Sequence, residues 1–213
     1  MRRSGFTLIE LLVIVTVIGL FLSFVIFPPD RGGCGLRMDN STRTRGIQQS
    51  MFQWSQNHSQ RFPGLGEREI LTATGRFQVL LDGNFVSPEF LISPVEIEEK
   101  TPSRTGLTTD NISYSLLDIS PGAKGRRAEW AATANSEATV VFDRNTGKGP
   151  GRSARSIHSS SDWRGSVTYN DGHTNFETTN VLERTRYGSQ TNVDDDLFID
   201  DNGDGADALG VFD

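Results

Sequence analysis

An unbroken apolar run near the start limits this chain more than any other feature. From Phe6 to Phe27 the sequence reads FTLIELLVIVTVIGLFLSFVIF, with Glu10 as its single charge. Twenty-two helical residues rise about 33 Å, matching a hydrocarbon core of about 30 Å, so the run predicts a transmembrane helix over residues 6–27. Arg2 and Arg3 lie in the short basic head 1–5. Positive-inside bias puts that head in the cytoplasm and the rest of the chain outside. The run ends in Pro28-Pro29-Asp30-Arg31 rather than at a small-residue cleavage site, so it does not read as a removable secretory signal. Arg31 stands where a lipoprotein box before Cys34 needs an aliphatic residue, and Phe6 falls one position late for a twin-arginine signal.

Glu10 is the anomaly. A carboxylate at mid-membrane costs about 2.5–3.5 kcal/mol, less toward the end of a span, and marks a functional site by default. A cut between Gly5 and Phe6 would create an α-amine on Phe6, one helical turn from Glu10 on the same face. In an assembly of such helices each Glu10 neutralises a neighbour's amine, and the pair forms only on assembly. The segment Gly5-Phe6-Thr7-Leu8-Ile9-Glu10 closely resembles the class III signal of type IV pilins and type II secretion pseudopilins. The resemblance implies a prepilin peptidase that cuts after Gly5 and methylates Phe6, with Glu10 guiding subunit docking.

Residues 28–37 hold two prolines and three glycines and predict a hinge that stops or bends the first helix. Asn40 and Ser41 then read as N-caps. Ile47, Met51 and Trp54 follow at i, i+4 and i+7, a stripe facing a core, with Gln48, Gln49, Gln53 and Gln56 facing water. The order Cys34, Arg43-Thr-Arg-Gly-Ile47, Trp54-Ser-Gln-Asn57 and Arg61-Phe-Pro63 also resembles the first helix of a large pseudopilin-like bacterial family with a β-rich head. Residues 77–86 fit either a short helix and turn or a hairpin, and 88–111 and 145–155 read as loops. Strands are expected at 112–117 and 138–142. Ser166–Tyr169, the Asn170-Asp171-Gly172 turn and His173–Phe176 form the clearest hairpin, Asp-Gly supplying positive φ. There is no internal repeat, glycine period or sustained heptad, and one cysteine, Cys34, makes no internal disulfide.

The net charge of −6 conceals an asymmetry: residues 194–213 hold eight aspartates and no base, so the remainder sums to +2. Acid concentrated at one end argues against a nucleic-acid partner and for a cation or a basic surface. Within that end, Asp200-Asp-Asn202-Gly-Asp204-Gly205 fits the opening of an EF-hand loop, with side-chain oxygens of Asp200, Asn202 and Asp204 at alternate positions for calcium. Val211 occupies the place of the closing glutamate, so a solvated acidic tail and a calcium loop closed by other groups both stay open. Secretion pseudopilins include heads with a C-terminal calcium site, which the resemblance brings in support of the second. Segment 124–164 carries eight bases against four acids, a solvated surface or a partner for the acidic end.

Asp143, His158 and His173 invite a hydrolase, but none sits in a nucleophile motif, and the three histidines lack metal-ligand spacing. In the resembled family Asp171-Gly172-His173 matches a recurrent turn without a reaction. The expectation is therefore a non-enzymatic α+β protein with an N-terminal transmembrane helix and an amphipathic helix packed on a small antiparallel β-sheet head, in the pilin-like arrangement. Its parts are a leader (1–5), the span (6–27), the hinge (28–37), an extracytoplasmic head (38–193) and the acidic segment (194–213). The implied role is a single-pass inner-membrane subunit of a type II secretion pseudopilus or type IV pilus-like filament. Its partners would be prepilin peptidase, like or unlike pilin-like subunits and membrane lipid. The competing expectation is a membrane-tethered extracytoplasmic binding domain, calcium-dependent or not, that does not polymerise.

Overall fold

A computed structural model of the protein describes residues 8–26, 33–66, 68–201, 203 and 205–213, with the side chains of 20–26 and 152 left aside. The chain divides into two compact units, Met1–Gly35 and Leu36–Asp213.

The first unit holds helix α1, Leu8–Ile26. Its apolar side chains from Leu8 to Ile18 are exposed. Thr16 turns its hydroxyl back onto the carbonyls of Leu12 and Val13, at 3.0 and 2.8 Å, so this hydroxyl is bonded within α1. Among the described residues no helix is long and apolar enough to cross a membrane. The described side chains stop at Gly19, short of the roughly 20 apolar residues a span requires, and residues 6, 7 and 27 of the expected span lie outside the described ones. The expected hinge falls partly outside them too, at 28–32. Its remaining residues are helical instead: Gly33, Cys34 and Gly35 open helix α2, Gly33–Ser55. Glycine costs a helix about 1 kcal/mol relative to alanine, which packing further along α2 overrides.

In the second unit the sheet order is β4-β3-β2-β1-β7, every pair antiparallel. The strands are β1 (Tyr114–Leu117), β2 (Thr139–Asp143), β3 (Gly165–Tyr169), β4 (Thr174–Glu177) and β7 (Gly210–Val211). Every residue of β1, β2 and β3 is buried, so both sheet faces are covered. The α2 stripe contributes Ile47 and Met51 to the core. Helix α3 (Ala73–Asp82) adds Phe77, Leu80 and Leu81, which decides residues 77–86 for a helix and turn. Burying a leucine or phenylalanine contributes about 1.5–3 kcal/mol. The expected 166–176 hairpin is present as β3–β4, with Gly172 at φ +87°.

Asn40 and Ser41 lie inside α2 rather than capping it. Asn40 is fully buried: its amide donates to both oxygens of Asp143 at 2.8 and 2.9 Å and to Ser166 Oγ at 3.0 Å. Its carbonyl oxygen accepts from Ser93 and Tyr114, at 2.6 and 3.1 Å. Gln48 is buried as well, because the 170–172 turn needs its amide: Nε2 donates to Asn170 O at 2.7 Å. Helix period puts Gln48 in water, and capping chemistry puts Asn40 at the helix start; both are buried.

A second, two-stranded sheet pairs β5 (Val181–Tyr187) with β6 (Gln190–Asp196). The described residues of the acidic stretch 194–213 belong to this packed body. Asp194–Asp196 close β6, Phe198 packs edge-on against Phe142 and Trp163, and β7 joins the main sheet. Asp213 accepts hydrogen bonds from the backbone N–H groups of Ala73 (2.6 Å, to its side chain) and Thr74 (2.9 Å), two of the orphan donors that begin α3. A freely solvated tail is excluded for these residues.

Candidate functional site

The aspartate-rich end converges on one cation. Arg126, in the short helix α4 (Lys124–Glu129), is 1% exposed. Its guanidinium contacts Asp118 at 3.1 Å, Asp200 at 3.1 Å and Asp207 at 2.8 Å, and donates to Asp207 O at 3.2 Å. The other oxygen of Asp207 accepts the Asp201 N–H at 2.6 Å. Gly205 sits against this helix at φ +69°, where a Cβ would stand 2.0 Å from Ala123 Cα, so only glycine lets the loop approach α4 this closely. Burial pushes the Asp200 carboxyl up, but the Arg126 hydrogen bond, the Gly203 N–H and the Arg126 charge together hold it below the usual carboxylate range. Asp195, 3% exposed, is pushed up to about 6 by burial, with the charges of Asp207 and Asp201 adding to the rise. The Thr185 hydroxyl and the Ala208 N–H (2.9 Å) bond its Oδ2 and work against that rise.

Of the three calcium candidates, Asp200 is described, while Asn202 and Asp204 lie outside the described residues. Both oxygens of Asp200 already have partners, Arg126 on Oδ2 and the Gly203 N–H on Oδ1 at 2.7 Å. Among the described residues no group of three or more His, Cys, Asp or Glu is arranged to hold a metal ion. Of the two readings of the basic segment, a meeting with the acidic end is seen at Arg126.

The hydrolase candidates are also placed. Asp143 is fully buried and accepts from Asn40, from the Ser166 N–H at 2.7 Å, and contacts His158 Nε2 at 3.2 Å. Its carboxylate is occupied in tying α2 to β3. Among the described residues no hydroxyl or thiol is hydrogen-bonded to the His158 ring. His173 bonds Asp171 at 2.6 Å and stacks on Tyr169, fixing the hairpin turn.

Gly5 and Phe6 lie outside the described residues, and Glu10 stands in the first turn of α1. It is an acid among apolar side chains that are exposed from Leu8 to Ile18. Residues 1–26 match the family model of the prokaryotic N-terminal methylation motif. The chain carries a prepilin-type signal. That signal is the one found on type IV pilin-like and pseudopilin proteins, whose family is structural rather than enzymatic. It implies membrane anchoring, processing by prepilin peptidase and pilin-like assembly. The mixed helix and antiparallel sheet of the second unit is consistent with a pilin-like α+β fold. No match was found among curated proteins or solved structures.

Sequence reasoning missed α4 and the β5–β6 hairpin. The hairpin had a signal: Gly188-Ser189 between Val181–Tyr187 and Gln190–Asp196 is a two-residue turn of the favoured kind, and Gly188 takes φ +62°. Arg126 had none, since nothing local distinguishes it from Arg127, which instead meets Glu69 near the surface.

Proposed function

We propose that this chain is a subunit of a type II secretion pseudopilus or type IV pilus-like filament, cut between Gly5 and Phe6 and N-methylated on Phe6. Residues 6–27 span the cytoplasmic membrane, residues 1–5 face the cytoplasm, and the unit from Leu36 onward faces outward. Glu10 docks each subunit by meeting the Phe6 amine of a neighbour. The observation that carries this reading is the methylation motif over residues 1–26. Mass spectrometry of protein extracted from membranes tests it: the mature chain begins at N-methyl-Phe6, and Gly5→Val blocks cutting. Bulk protein that retains Met1 overturns it. Recovery of the processed chain in a purified filament separates a polymer subunit from a processed tether.

A second reading concerns calcium at Asp200, Asn202 and Asp204. It is supported by their alternate spacing and by the Gly203 N–H to Asp200 bond, which closes the turn. Millimolar calcium then raises the melting temperature and magnesium does less, with the gain lost in Asp200→Ala. Equal melting in calcium and in chelator rejects it and leaves Arg126 as the counter-ion of this end.

A further inference from the structure

A cleft of about 730 Å³ opens where α2 ends, and neither the signal nor the carboxylate cluster accounts for it. Its size falls in the range of ligand sites, roughly 300–1,000 Å³. Its wall includes Trp54 and His58, whose rings lie parallel with centroids 3.6 Å apart and planes within 4°. The His58 ring is fixed in that pose by a 2.7 Å contact between Nδ1 and Trp54 O. Arg61 and Arg68 also line the cleft, both exposed, and neither has an ion-pair partner among the described residues. Asn57 adds a side-chain amide, and Leu65 an apolar surface.

The rim is built before any ligand arrives. Ser59 and Gln60 hold φ of +54° and +60°, a left-handed pair that non-glycine residues seldom adopt. Backbone bonds from His58 N and Gln60 N to Ser55 O, at 2.9 and 3.0 Å, keep the turn in place. The Arg61–Ala131 bridge and the Ala132 N to Gln60 O bond (2.8 Å) anchor its far side.

We propose that this cleft binds a short acidic saccharide. A sugar ring offers a C–H face that packs on a flat aromatic surface and hydroxyl edges that bond an amide. A uronate carboxylate meets an arginine fork in two parallel charge-assisted bonds. A net charge of −6 repels a long polyanion, so the ligand is short and carries at most three oxyanions. Nothing in this depends on filament incorporation.

The test uses the full-length protein in detergent, with trigalacturonate as probe and calorimetry as readout. Galactotriose is the neutral control and inorganic phosphate the ring-free control. Trigalacturonate binds saturably, and the two controls bind at least tenfold more weakly, a difference of about 1.4 kcal/mol. The double variant Arg61→Gln/Arg68→Gln loses at least tenfold in affinity, whereas Arg45→Gln/Lys124→Gln, with the same change of charge elsewhere, matches wild type. His58→Ala, which removes half of the stacked pair, weakens trigalacturonate and leaves any phosphate binding unchanged. Unaltered melting of each variant shows that the fold survives. No saturable binding at millimolar trigalacturonate overturns the proposal, as does equal binding by the Arg61/Arg68 variant. Phosphate as tight as trigalacturonate overturns the saccharide assignment.

Discussion

The helix at the start of the chain and the aspartates at its other end face the same electrostatic problem and treat it differently. In α1 a single carboxylate, Glu10, stands among exposed apolar side chains. At the C-terminal end Asp200 and Asp207 gather, together with Asp118 from after β1, on one buried arginine supplied by α4. The second arrangement is completed within the chain. In the proposed filament Glu10 meets the Phe6 amine of a neighbouring subunit, so removing its charge should alter association and leave folding alone. A carboxylate is therefore informative through where its counter-charge comes from, more than through how acidic its neighbourhood is.

Arg126→Met gives the largest expected effect. It leaves three carboxylates without their shared cation, and breaking such a buried arrangement costs about 3–5 kcal/mol. Thermal unfolding of the detergent-solubilised protein measures it. Adding Asp118→Asn and Asp207→Asn to the same chain should recover part of the loss, because the repulsion is then removed. A drop below about 1 kcal/mol in the single variant would place the counter-charge elsewhere.

Glu10→Ala should reverse the pattern. Its melting stays within about 0.5 kcal/mol of wild type, as for a change away from the packed core. Crosslinking between subunits in membranes falls well below wild type at equal expression. Wild-type crosslinking by Glu10→Ala protein would remove the docking role and, with it, the contrast between the two regions.

The smallest effect is a pH slope at Asp195. Its folded carboxyl titrates at about 6 rather than at the ordinary 3.8, so the folded state holds its proton more tightly than the unfolded chain does. Stability from this group is present below the ordinary value and falls as pH rises through about 6. Asp200 runs the other way, its contribution being lost only as pH falls below the ordinary carboxylate range. Between pH about 4 and about 6 the Asp195 slope should therefore be visible in melting temperature, and Asp195→Asn should flatten it. An unchanged slope in Asp195→Asn assigns the titration to another carboxylate.

The methylation motif was legible in the sequence because it is contiguous, carried by residues 1–26 without help from the fold. The Ile47–Met51 stripe and the β3–β4 hairpin were legible for a related reason: helix period and turn chemistry are set within a few residues. Tertiary structure alone decided which polar residues go inside. Asn40 meets Asp143 across 103 residues, and Arg126 meets Asp200 and Asp207 across 74 and 81. No local pattern encodes such pairs, since a buried amide or guanidinium becomes tolerable only when distant segments bring its partners to it. The same holds for the cleft beside Trp54 and His58: each residue looked ordinary in sequence, and only the closure of the 55–61 turn against Ala131 and Ala132 set Arg61 beside the aromatic pair, with Arg68 also lining the cleft.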